Sequence, residues 1–117
     1  MLCVYECGRD VPFDIRRVFT VSARKGDIRG AHAHKRCTQI LVCVSGKIHV
    51  TCDNGRTESD YILDNMVKGL LVPPGIWATE RYVTNNAVLM VLCDLAYETD
   101  DYIRDYNEFK AFLGLRG

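Results

Sequence analysis

Short runs of apolar and polar residues, each closed by turn-forming residues, make up most of the chain. Residues 38–44 (TQILVCV), 47–52 (KIHVTC), Glu58–Leu63, Gly69–Val72 and 87–95 (AVLMVLCDL) are rich in β-branched or apolar side chains, which predicts short strands. Asp53, Asn54 and Gly55 lie between two of these runs and predict a hairpin, since Asn and Gly tolerate the positive φ of a type I′ turn. Asn85 and Asn86 predict another reversal. Strands of this length and spacing indicate an all-β fold, an antiparallel sandwich or closed barrel. The period changes at the C-terminus. Tyr102, Ile103, Tyr106, Phe109, Phe112 and Leu113 recur at three- and four-residue steps, predicting a short amphipathic α-helix docked on the sheet. Thr99 or Asp100 can cap its start and Gly114 its end.

Composition narrows the function classes. With 117 residues the chain suits one domain, 1–117, with a moderate core. Lys plus Arg (15) balances Asp plus Glu (15), which removes the general electrostatic case for nucleic acid or a membrane surface. No apolar run approaches the ~20 residues of a membrane span, and residues 1–8 do not resemble a signal peptide. A cytoplasmic protein is expected. None of the six cysteines forms a Cys-x-x-Cys pair, and Cys43, Cys52 and Cys93 lie inside apolar runs, so reduced structural thiols are expected.

His32 and His34 carry the candidate chemistry. Residues two apart in a strand share a face, so both imidazoles project together from backbone positions about 6.5–7 Å apart, while Ala31, Ala33 and Lys35 face the other way. Such a pair suits metal binding or proton transfer, because an imidazole with a pKa near ~6.5 accepts and returns a proton at neutral pH. The bland alternative is a pair of satisfied core histidines. The same parity puts Ile48, Val50 and Cys52 on the apolar face of their strand and His49 on the wet one with Lys47 and Thr51. Arg16, Arg17, Arg24, Lys25, Arg29, Lys35 and Arg36 concentrate positive charge around the pair, which suits an anionic ligand, since Arg meets a phosphate with two parallel hydrogen bonds. Glycine-rich phosphate loops are absent. Pro73, Pro74 and Gly75 form a rigid turn. If Ala78 faces the cavity, Glu80 and Tyr82 do too and shape a substrate pocket, whereas Trp77, Thr79 and Arg81 face away.

Gly26, His32, His34, Gln39 and Gly46 resemble the first motif of the cupins, and Pro73-Pro74-Gly75 followed by Ala78 resembles the second. The resemblance implies a cupin jelly roll. It also implies a four-ligand metal site, yet Gln39 stands at the Glu position and Ala78 at that of the third His. An amide is a poor ligand beside a carboxylate, and two histidines seldom hold a transition metal alone. No metal and no cofactor are expected, a metal-dependent oxygenase is disfavoured, and proton transfer becomes the better use of the pair.

The longer set Arg29-Gly30-Ala31-His32-Ala33-His34-Lys35, Gly46, 72–77 (VPPGIW), 88–92 (VLMVL), and 102–106 (YIRDY) with Phe109 is similar to the sugar 3,4-ketoisomerases of the WxcM-like cupin family, over residues 13–113. That resemblance implies metal-free isomerisation of a dTDP-linked 4-keto-6-deoxyhexose to its 3-keto isomer, on the way to 3-amino sugars of bacterial surface glycans. It further implies a homodimer that exchanges N-terminal strands. The family's catalytic histidines fall on His32 and His34, without a choice of carbon base between them. Arg29, then Arg16 and Arg24, fall to the diphosphate, and Lys35, Gln39, Glu80 and Tyr82 complete the expected substrate-binding set. Ala78, Glu80 and Tyr82 lie where the choice between galacto and gluco products would be made. The rival reading is a non-catalytic cupin module that binds a nucleotide sugar. The dTDP-sugar 3,5-epimerases are set aside because they need a histidine with a carboxylate partner and lack the RGAHAHK pattern.

Overall fold

A computed structural model describes residues 1–115. In chain order the strands are β1 (Arg17–Ser22), β2 (Ile28–His34), β3 (Gln39–Ser45), β4 (Ile48–Asp53), β5 (Glu58–Leu63), β6 (Gly69–Val72), β7 (Trp77–Tyr82), β8 (Val88–Cys93) and β9 (Tyr102–Ile103), followed by helix α1 (Tyr106–Phe112). They form two antiparallel sheets, ordered β1-β8-β3-β6 and β5-β4-β7-β2-β9. This is the expected jelly roll with a short C-terminal helix.

Period-two patterning explains where each face goes. Leu41, Cys43, Ile48, Val50, Tyr82, Leu89, Val91 and Cys93 are buried in one core cluster shared by both sheets. The outer face of the four-stranded sheet, with Ile40, Val42 and Leu92, is covered by Val11 and flanked by Tyr5, Phe13 and Ile15 of the N-terminal segment. The outer face of the five-stranded sheet takes α1: Phe109, wholly buried, packs on Ala33 and Ile103, with Trp77 and Leu113 beside it. Burying such an aromatic contributes about 1.5–3 kcal/mol. Trp77 therefore lies outside the sandwich, as its parity predicts, with Tyr106 and Phe109 at centroid distances of 5.3 and 5.7 Å.

Two local expectations are corrected. The helical stripe begins later, because Tyr102 and Ile103 pair with His34 and Ala33 of β2 as a strand. Thr99–Asp101 is a 3₁₀ turn. The cap of α1 is Asp105, whose side chain accepts from the Asn107 amide at 3.1 Å, and Gly114 ends it at φ 75°. The hairpin between β4 and β5 is also not a type I′ turn. Its loop is residues 54–57, with positive φ at Gly55 alone (91°), and the Asn54 side chain accepts from the Arg56 and Thr57 amides at 2.9 Å each.

Candidate active site

The position of the histidines depends on an irregularity in β2. Arg29 pairs with Glu80 and Gly30 with Thr79 of β7, but the next partner, Ala78, belongs to His32. Ala31 is an extra residue, a β-bulge, held at φ 59° beside Gly30 at 80°. A bulge shifts the side-chain alternation by one. Arg29 and His32, three apart, consequently line the same cavity between the sheets, of about 70 Å³, together with Phe19, Gln39, Glu80 and Tyr82. Gly75, at the Pro-Pro-Gly turn, donates its amide to the His34 carbonyl at 2.9 Å and ties β2 to the start of β7.

His34 is buried and its Nδ1 lies 2.8 Å from Asp101 Oδ2. The carboxylate can only accept, so Nδ1 carries the proton and Nε2 the lone pair. Asp101 is fixed in turn by the Arg36 amide, which donates to Oδ1 at 2.6 Å. Burial pushes the Asp101 carboxyl up, but the hydrogen bonds from His34 and from the Arg36 and Cys37 amides outweigh it and hold the group below the ordinary range. For His34, burial lowers the pKa, Asp101 opposes, and the net direction is down. The His32 ring meets that of His34 edge to face at 5.1 Å. Burial, then the neighbouring His34, push the His32 imidazole down to about 4. Its Nδ1 and Nε2 of His34 find no partner among the described residues. Tyr102 completes the cluster, 4.4 Å from the His34 ring and 5.1 Å from that of His32.

Glu80 is buried across from Arg29, and burial alone pushes its carboxyl up to about 7. Gln39 donates its amide to Cys93 Sγ at 3.5 Å. Among the expected site residues, His32, Arg29, Gln39, Glu80 and Tyr82 thus meet at one cavity, with His34 packed behind His32. Arg16, Arg24 and Lys35 do not line it: Lys35 borders an external depression beside α1, and Arg24 begins the exposed β1–β2 turn, its amide bonded to Asp27. Two further cations act on the pair: Arg17, whose guanidinium donates to the Tyr102 hydroxyl at 3.0 Å, and Arg104, which lies 4.4 Å from the Tyr102 ring centroid. Sequence reasoning misses Asp101, which lies 67 positions from its partner, and Tyr102, which falls on the expected helical stripe, while Arg104 stands in the sequence only as part of the 102–106 motif. His49 lies outside, bonded to Asp60 at 3.0 Å, as parity predicts. Larger surface depressions flank the N-terminal segment and α1, but none gathers facing acid–base groups as this cavity does.

His34, Cys37 and Asp101 hold their potential ligand atoms within 4.8 Å of one another. They fit a metal poorly. Both Asp101 oxygens and His34 Nδ1 are already hydrogen-bonded, and the Cys37 thiol is pushed up by its Cys93 neighbour and by burial, which disfavours the thiolate a metal needs.

A model of the WxcM-like, C-terminal (FdtA) family matches residues 1–114. The chain belongs to this family. Its relatives include a TDP-4-oxo-6-deoxy-α-D-glucose 3,4-oxoisomerase of Aneurinibacillus thermoaerophilus, 37% identical over 113 residues, which are 96% of this chain and 81% of the relative. A 3,4-ketoisomerase from Helicobacter canadensis superposes with a TM-score of 0.92 at 33% identity, over 97% of this chain and 86% of that one. The sugar 3,4-ketoisomerase QdtA of Thermoanaerobacterium thermosaccharolyticum, solved with TDP, gives 0.89 at 33% identity, over 92% and 80%. His34 does have a carboxylate partner, so of the two features that set the 3,5-epimerases aside only the RGAHAHK pattern at 29–35 stands. Membership of the WxcM-like family makes the same distinction.

Proposed function

We propose that this WxcM-like chain isomerises a dTDP-linked 4-keto-6-deoxyglucose to a 3-keto-6-deoxyhexose through an enediol. The observation that carries the reading is the buried imidazole of His32 at the cavity, with His34, backed by a carboxylate, packed behind it. A ketone at C4 acidifies the C3 hydrogen, and a neutral imidazole within reach can remove it. His32 faces the cavity with an unpartnered nitrogen and is assigned as the carbon base, returning the proton at C4. The His34–Asp101 pair packs against its ring and holds it in place at the cavity. Arg29 at the cavity, with Arg17 and Arg104 beside Tyr102, suits the diphosphate better than Arg16 or Arg24. Ala78 is the register partner of His32 but does not line the cavity, which leaves Glu80 and Tyr82, of the three residues expected to set a galacto or gluco product, at its wall.

The relative from Thermoanaerobacterium thermosaccharolyticum binds TDP, which supports a thymidine nucleotide on the substrate. A reaction without a metal is supported by the hydrogen bonds that already occupy His34 Nδ1 and both Asp101 oxygens. A homodimer that exchanges N-terminal strands is supported by β1 at the edge of its sheet and by exposed Met1, Leu2, Val4, Val18 and Leu71. Six free cysteines suit a reducing cytoplasm, and among the described residues no helix is long and apolar enough to cross a membrane. The test is conversion of dTDP-4-keto-6-deoxyglucose by EDTA-treated protein, followed by NMR. A His32→Asn, His34→Asn double variant is expected to bind the sugar without converting it. Equal conversion by the variant contradicts the assignment, and binding without conversion by the parent chain leaves a sugar-binding module.

A further inference from the structure

Glu80 has no role in the sequence of steps above beyond shaping the pocket, yet its setting is costly. Its Oε2 is buried and finds no partner among the described residues. Leaving a buried polar group unsatisfied is destabilising, and an apolar side chain here would avoid that cost. The backbone is also adapted to it. A Cβ on Gly30 would collide with Glu80 Oε2, so the carboxyl occupies space that only glycine leaves open. It lines the same cavity as His32, two residues along β7 from Ala78, the register partner of His32. Backbone positions two apart on one face are about 6.5–7 Å from each other, a span that places a base at a ring carbon and an acid at the neighbouring oxygens.

We infer that Glu80 is a second catalytic residue of this ketoisomerase, the acid and base that moves the oxygen-bound proton while His32 moves the carbon-bound one. The inference rests on the proposed reaction. In the first half-reaction His32 takes the proton from C3, the C–H pair becomes the C3=C4 bond, and the carbonyl pair at O4 takes the proton of the Glu80 carboxyl. In the second, the Glu80 carboxylate takes the proton from O3 as the C3 ketone forms, and the C3=C4 pair takes the proton from the His32 imidazolium at C4. Both residues return to their starting protonation, and nothing is oxidised or reduced overall. Midway, the imidazolium and the carboxylate share one buried cavity, where their attraction offsets the cost of charging each.

The resting state fits these roles. Glu80 is held protonated up to about 7 and His32 neutral down to about 4, and two groups whose surroundings drive their pKa values apart are the usual mark of an acid and a base. The other titratable groups near Glu80 are Arg29 of β2, Cys52 of β4 and Tyr82 of β7, while the opposing sheet presents Phe19, Val21, Gln39, Leu89 and Val91, none of which titrates.

The test compares the full chain with Glu80→Gln and Glu80→Asp on dTDP-4-keto-6-deoxyglucose. Glu80→Gln is expected to lose about 10²-fold or more in kcat with KM within about threefold. Parent kcat is expected to fall as pH rises through about 7, Glu80→Gln to lose that alkaline limb, and Glu80→Asp to keep it at reduced rate. Glu80→Gln within about threefold of the parent, with the same profile, overturns the inference while the proposed function stands. Should Glu80→Gln not fold, a Glu80→Asp profile without an alkaline limb overturns it equally. A parent chain that leaves the sugar unconverted overturns both.

Discussion

His32 and Glu80 are both kept neutral by burial, and they couple stability to pH in opposite senses. The His32 imidazole is lowered from 6.5 to about 4, so the unfolded chain takes up a proton that the folded one refuses. That contribution is present above about 6.5 and is lost as pH falls toward about 4. The Glu80 carboxyl is raised from 4.5 to about 7, so its contribution is present below about 4.5 and is lost as pH rises through about 7. Each span of roughly 2.5 units corresponds to about 3 kcal/mol, and the two offset each other between about pH 4.5 and 6.5. Glu80→Gln removes one side. Its stability relative to the parent is expected to rise by about 3 kcal/mol from pH 4.5 to 7.5, read by urea unfolding at several pH values. A difference that does not change with pH would mean that Glu80 is already ionised in the folded chain.

At the level of elements, the bulge in β2 decides which residues share the cavity. Gly30 adopts φ 80°, and an added Cβ would collide with the Glu80 carboxyl and lie 2.9 Å from the Ala78 carbonyl oxygen. Gly30→Ala is expected to cost at least about 1–2 kcal/mol, measured by thermal unfolding, and to lower turnover by displacing Glu80. An unchanged melting temperature would contradict this. The bulge also marks where the sequence stops being informative. Parity places His49, Trp77, Glu80 and Tyr82 correctly, because β4 and β7 are regular and one face of each is buried. It says nothing of Ala31, whose side chain carries no signal for a positive φ, so the shared face of Arg29 and His32 is invisible before folding. Tyr102 and Ile103 fit a helical period by chance, and pairing with β2 overrides it. Asp101 reaches His34 through a 3₁₀ turn that no local pattern announces.

For the whole molecule, the closed sandwich leaves β1 and β6 as the edges of one sheet, with exposed Val18 and Leu71 on their outward side. Unpaired edges of this kind invite another chain. Sedimentation at micromolar concentration is expected to give a two-chain mass, lowered by Val18→Asp, and a single-chain mass for the parent would contradict strand exchange. The central claim, that this WxcM-like chain moves a proton between adjacent sugar carbons, is tested most directly by proton NMR of dTDP-4-keto-6-deoxyglucose with EDTA-treated protein in D₂O. The account predicts a 3-keto sugar with deuterium at C4, formed by the parent chain and not by the His32→Asn, His34→Asn double variant. An unchanged spectrum in which the sugar remains bound would contradict it.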